Sequence, residues 1–155
     1  MNRIAILFLQ GVTVLIGVAA LAFLIWEPLG EGHNAHASLF QIYFQDPLVA
    51  YAYIGSIPGF IALAQTFRLL GLAGRGQAAS PESLKALGAI KLCALTVAGF
   101  VVAGELIFIL FNTSDDRAGG VAMGVFFGLP TLTVAAAATV LEGIARGARR
   151  GDPAA

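Results

Sequence analysis

Four long apolar stretches, separated by short polar segments, constrain this chain more than any other feature. Ile4 to Trp26 runs twenty-three residues without a charge. Leu48 to Phe67, Leu92 to Leu110 and Val121 to Leu141 each approach the roughly 20 residues a helix needs to cross hydrocarbon. Only Glu105 puts a charge inside any of them. Lipid offers no water to satisfy backbone N–H and C=O groups, so such stretches must be helical. With 58% hydrophobic and 12% charged residues, the 155-residue chain lacks the polar surface of a soluble domain. The expected architecture is all-α: one domain over 1–155, an antiparallel bundle of four transmembrane helices with spans near 4–26, 48–70, 88–111 and 120–142.

The net charge of zero hides a division that sets the topology. If both termini and the segment between the second and third spans are cytoplasmic, eight of nine basic residues lie inside and only Arg117 outside. The positive-inside rule is strongest for short flanks, so both termini are expected in the cytoplasm. Arg3 before an apolar stretch and Ala35-His36-Ala37 after it imitate a secretory signal, but the apolar run is too long, and a retained span is expected. Cys93, the single cysteine, allows no intramolecular disulfide and reads as a buried apolar thiol.

Helix punctuation agrees with four spans. Asp46-Pro47 and Ser80-Pro81-Glu82 each place a capping side chain before a proline at the first helical position. A third helix from Pro81 to near Asn112 would have about 32 residues at 1.5 Å each, so its first turns, with Lys85 and Lys91, must reach the headgroups. Asp115 or Asp116 can cap the fourth helix. Gly71 to Ala79 reads as a flexible connection, and Gly147 to Ala155 as a frayed basic tail. Arg146, Arg149 and Arg150 suffice as topology determinants and can also meet anionic headgroups. In the first outer loop, Leu39, Phe40, Ile42, Tyr43 and Phe44 suit either an interfacial aromatic belt or a lid over an outward cavity.

Small residues mark packing surfaces. Gly120, Gly124 and Gly128 line one face of the fourth span, with Gly55 and Gly59 in the second, and Gly99 with Ala103 in the third. These faces suit close contact within the chain or between copies of it. Glu105 is the leading functional candidate, because a carboxylate in hydrocarbon must face the interior, find partners or stay protonated. Counting inward from the outer helix ends places it near Gly55, Ser56, Gly128 and Pro130. Pro58 and Pro130 interrupt helix hydrogen bonding, while Ser56, Tyr53 and Thr131 could supply hydroxyls. That set suits either a structural clasp or an ion or proton site. His33, His36 and Glu31 make a poor metal site without a fourth ligand, and the spans hold no histidine for a haem, so no metal or cofactor is expected. No catalytic motif is present, which points away from an enzyme, and three terminal arginines do not make a nucleic-acid surface.

Phe44, Asp46-Pro47, Tyr51, Pro58, Gln65, Phe67 and Leu69-Leu70, followed by Lys91, Cys93 and Gly104-Glu105, resemble the bacterial family of unknown function numbered 2975, from about Trp26 to Glu142. The resemblance implies a small four-helix protein of the inner membrane, with no assigned activity or cofactor. It also suggests a cytoplasmic DNA-binding regulator as partner, although the Ala-Gly-rich linker offers such a protein little surface. The expected function is a non-enzymatic interaction, regulatory or accessory membrane component, embedded in the bilayer and contacting another copy, a membrane protein or a cytoplasmic regulator. The alternative is a small proton- or ion-coupled transporter using Glu105.

Overall fold

The computed structural model describes residues 3–30, 38, 40–41, 47–111 and 117–151. Among these the chain forms four helices: α1 (Arg3–Gly30), α2 (Pro47–Gly74), α3 (Pro81–Phe111) and α4 (Arg117–Arg150). All four are long and apolar enough to cross a membrane. The expectations for Glu31, His33, His36, Leu39, Ile42 to Phe44, Asp115, Asp116 and the last four residues lie outside the described residues.

Successive helices pack antiparallel, which puts both ends of the chain on one side of the bundle. Along α1 and α2, Ile6 meets Gly74, Gly17 meets Leu63, and the Tyr53 hydroxyl donates to the Leu24 carbonyl at 3.0 Å. Along α2 and α3, Val97 lies beside Gly59, Phe100 beside Gly55 and Tyr51 beside Gly104. Along α3 and α4, Lys91 pairs with Glu142, Val101 lies beside Gly128 and Glu105 beside Gly124.

Each end helix buries one narrow stripe. On α1 it is Ile6, Gln10, Thr13, Gly17, Ala20 and Leu24; on α4 it is Gly124, Gly128, Thr131, Ala135, Ala138, Glu142 and Ala145. Spacings alternating between three and four are those of a coiled-coil seam, the pattern of a helix applied to one neighbour. The inner helices use two faces each. At 100° per residue, the α3 residues that meet α2 (Val97, Phe100, Gly104) and those that meet α4 (Lys91, Val101, Glu105) are about 100° apart. α2 and α3 are therefore the corners of the bundle, and α1 and α4 its arms. The arms do not pack along their length. Phe23 and Phe127 bridge them, with ring centroids 6.4 Å apart.

The connection from α2 to α3 is a hydrogen-bonded turn, which corrects the expectation of a flexible stretch from Gly71. Helix α2 continues through Gly74, and Gly76, at φ 77°, closes it in the left-handed conformation that glycine adopts without a Cβ penalty. Gln77 N–H donates to the Leu72 carbonyl and Gly76 N–H to Ala73, the two bonds of a Schellman cap. Ser80 then caps α3 by accepting from the Ser83 N–H at 3.2 Å, and the fully buried Ser83 hydroxyl donates to the Gln77 carbonyl at 2.7 Å. Helices α2 and α4 also run unbroken through Pro58 and Pro130, where interruptions were expected. Each proline deletes one N–H bond, and in lipid the neighbouring turns stay helical because nothing else can satisfy them.

The packing register leaves the apolar bands out of step. Ile4, Leu7 and Phe8, at 74%, 67% and 68% exposure, lie at the depth of Glu82, Lys85, Arg146 and Arg149. The exposed apolar band of α1 sits about ten residues, or roughly 15 Å, closer to the chain ends than that of α3 and α4.

Gly55 and Gly104 of the α2–α3 seam have little room to grow. A Cβ at Gly55 would stand 3.1 Å from Phe100, and one at Gly104 3.2 Å from Tyr51, whereas Gly99 faces open space. Gly55→Leu and Gly104→Leu should each destabilise the detergent-solubilised protein by about 1–3 kcal/mol in thermal unfolding, with Gly99→Leu close to wild type.

Candidate functional site

Glu105 lies six residues before the end of α3, half-buried against α4. Gly124 makes room for it: a Cβ at that position would stand 2.5 Å from both Cγ and Oε1 of Glu105, so a larger residue would displace the carboxyl group from the α4 backbone. Among the described residues Oε2 is buried with no hydrogen-bond partner. Such an atom forgoes hydration without compensation, which costs on the order of 1–3 kcal/mol.

The structure does not assemble the expected polar set around this carboxyl group. Ser56 donates to the Tyr53 carbonyl at 2.8 Å, Tyr53 to Leu24 on α1, and Thr131 to the carbonyls of Gly128 and Phe127 at 2.8 and 3.2 Å. All three hydroxyls serve backbone carbonyls: Ser56 and Thr131 those of their own helix, the nearest acceptors for a short side chain, and Tyr53 one on α1. Pro130 is exposed. The depth match is also corrected. Glu105 is level with Tyr51 and Gly124, while Gly55 and Gly128 lie about one turn deeper beside Phe100 and Val101. Counting from the apolar ends failed because the wedge of Tyr51 over Gly104 sets the register.

The packing glycines divide by surroundings. Gly55, Gly59, Gly124 and Gly128 all face side chains of α3, so these surfaces are used within the chain. Gly99 and Ala103 point outward from α3, and the surroundings of Gly120 lie outside the described residues.

Two polar contacts were not anticipated. Tyr51 donates to the Phe100 carbonyl at 2.6 Å and tilts against the Phe100 ring at a centroid distance of 5.3 Å, tying α2 to α3. At the other end of the bundle, Glu142, only 7% exposed, accepts from Lys91 Nζ through Oε2 at 2.8 Å and from the Arg146 guanidinium through Oε1. The signal for this trio was available: Glu142 and Arg146 are spaced i, i+4 on one helix face, and Lys91 opens the third span as Glu142 closes the fourth. Gln10 was likewise legible as one member of the α1 stripe, and its amide donates to the Phe67 carbonyl at 3.2 Å.

If Gly124 exists to admit Glu105, the two positions should be coupled. Gly124→Ala should cost about 1–3 kcal/mol in the wild-type background and close to nothing beside Glu105→Ala, as measured by a double-mutant cycle of unfolding free energies.

Comparison with known proteins agrees with this four-helix reading. Residues 29–150 match the family described as protein of unknown function (DUF2975), a stretch that takes in α2, α3 and α4 and leaves nearly all of α1 outside. An uncharacterized membrane protein of Bacillus subtilis (strain 168), YoaS, is 35% identical over 144 residues, covering 92% of this chain and 89% of its own length. No solved structure matches. The chain belongs to the DUF2975 family of membrane proteins of unknown function.

Proposed function

We propose that the protein is a non-enzymatic component of the bacterial inner membrane that acts by binding another membrane protein, in a regulatory or accessory role, with both termini cytoplasmic. The orientation rests on the eight basic residues that it gathers on one side. The observation that carries the interaction reading is the displaced apolar surface of α1. Ile4, Leu7 and Phe8 are exposed at the depth where α3 and α4 carry ions, so a flat bilayer cannot cover all four apolar bands together. Tilting or local thinning of the bilayer offsets such a mismatch only at a cost for each ångström. An apolar helix of a partner laid along the free face of α1 would cover it without that cost.

Photocrosslinking residues placed at Leu7 and Leu15 on α1, and at Leu106 on α3 as reference, should give a discrete protein adduct from α1 only. An adduct of twice the chain mass would identify a second copy as the partner. Lipid adducts alone from all three positions would overturn the reading.

A second reading has its own support in the unpartnered Oε2 of Glu105, since a buried carboxylate oxygen in a span is a group a proton or cation can occupy. Proteoliposomes should show no proton or cation flux under the interaction reading. Flux that is present in the wild type and lost in Glu105→Gln, with both proteins folded and inserted, would favour transport.

A further inference from the structure

The ion trio at the end of the bundle near the termini is one negative charge short of neutral. Glu142 engages one cation with each oxygen, Lys91 at Oε2 and Arg146 at Oε1, so two positive charges share a single carboxylate. Among the described residues Lys91 uses one of its three N–H donors and Arg146 one of its five. Both are still reachable from outside, with side chains 35% and 63% exposed. Lys91 is on the side of the α3–α4 contact turned away from α2, and Arg146 on the matching side of α4, so the spare donors open onto the outer groove between the two helices. Arg150, one turn beyond Arg146 on the same face, adds a third cation. Gly88, one turn from Lys91, and Gly143 and Gly147, beside Glu142 and Arg146, have open space where a side chain would stand. One turn deeper on α3, Leu95 is exposed and apolar.

We propose that this groove binds the phosphate of an anionic phospholipid headgroup, held by Lys91, Arg146 and Arg150, with the acyl chains running past Leu95. The geometry matches the chemistry of that ligand. A net positive charge beside exposed apolar surface pairs with a phosphate diester, and at Gly88, Gly143 and Gly147 no side chain stands in the way of a headgroup. Basic recesses between helices on the cytoplasmic face are a recurring form of anionic-lipid site. The site stands whether or not a partner meets α1.

Native mass spectrometry of the full chain in detergent, titrated with phosphatidylglycerol or phosphatidylcholine, tests the site. Phosphatidylglycerol should remain bound at higher collision energy, with one tight molecule per chain. Loss of one cation should weaken binding about fivefold, in Arg150→Gln as well as in Lys91→Gln. Arg150 makes no contact with Glu142, so its variant separates lipid binding from the ion trio should Lys91→Gln misfold. Arg68→Gln, on α2, should bind as wild type does. Equal retention of the two lipids, unchanged binding in Arg150→Gln, or full displacement of the lipid by millimolar inorganic phosphate would each overturn the proposal.

Discussion

The bundle depends on bulky side chains of one helix lying over glycines of the next. Tyr51 over Gly104, Phe100 over Gly55 and Glu105 over Gly124 all bring helices close at positions where a Cβ would crowd its neighbour, tightly at Gly55 and Gly104 and into overlap at Gly124. Lipid tails are as apolar as the side chains they would replace, so burial of apolar area gives little drive for helix association in a membrane. Close van der Waals contact and interhelical hydrogen bonds must supply it instead. The α2–α3 seam has both, because the phenol that wedges over Gly104 also donates to the Phe100 carbonyl. With α2 and α3 fixed as corners, each outer helix needs only one stripe to attach, and single stripes at heptad spacing are what α1 and α4 present.

Attachment by one stripe leaves each arm free to take its own axial position. Helix α1 is held by Gln10, Tyr53 and glycine contacts that pin it low against α2, toward the chain ends. Helix α4 is held by the Glu142 trio at one end and Gly124 at the other. Among the described residues the ring contact of Phe23 with Phe127 links the two arms, which do not pack along their length. The displaced apolar bands follow from this, as does the open seam between the arms.

The four helices and the starts of α2 and α3 were legible because apolarity and the Asp-Pro and Ser-Pro caps are local properties of the chain, whereas α1, α2 and α4 run on past their expected ends, α4 to Arg150 through the first residues expected to fray. Pro81 opens α3 as the cap requires, and Phe111 closes it one residue from the expected Asn112. The register was not legible, because it is set by contacts between residues about fifty positions apart, such as Tyr51 with Gly104. The hydroxyls of Ser56, Tyr53 and Thr131 were assigned to a carboxylate by depth alone, whereas Ser56 and Thr131 find carbonyls of their own helix and Tyr53 reaches across to α1. The turn from Gly71 to Ala79 was misread from its composition. Its glycines suggested mobility, yet one of them supplies the positive φ that closes α2.

The two carboxylates of the α3–α4 interface hold it by different physics. Glu142 is fixed by charge, with a cation on each oxygen, and its hold depends on electrostatics that water and salt can weaken at the membrane boundary. Glu105 is fixed by shape, pressed on the bare backbone at Gly124 with one oxygen lacking a donor. A buried oxygen without a partner gains from any donor or cation that reaches it. The end of the seam away from the termini is thus tightly fitted and chemically unsatisfied, while the end near the termini is satisfied within the chain and carries excess positive charge outward.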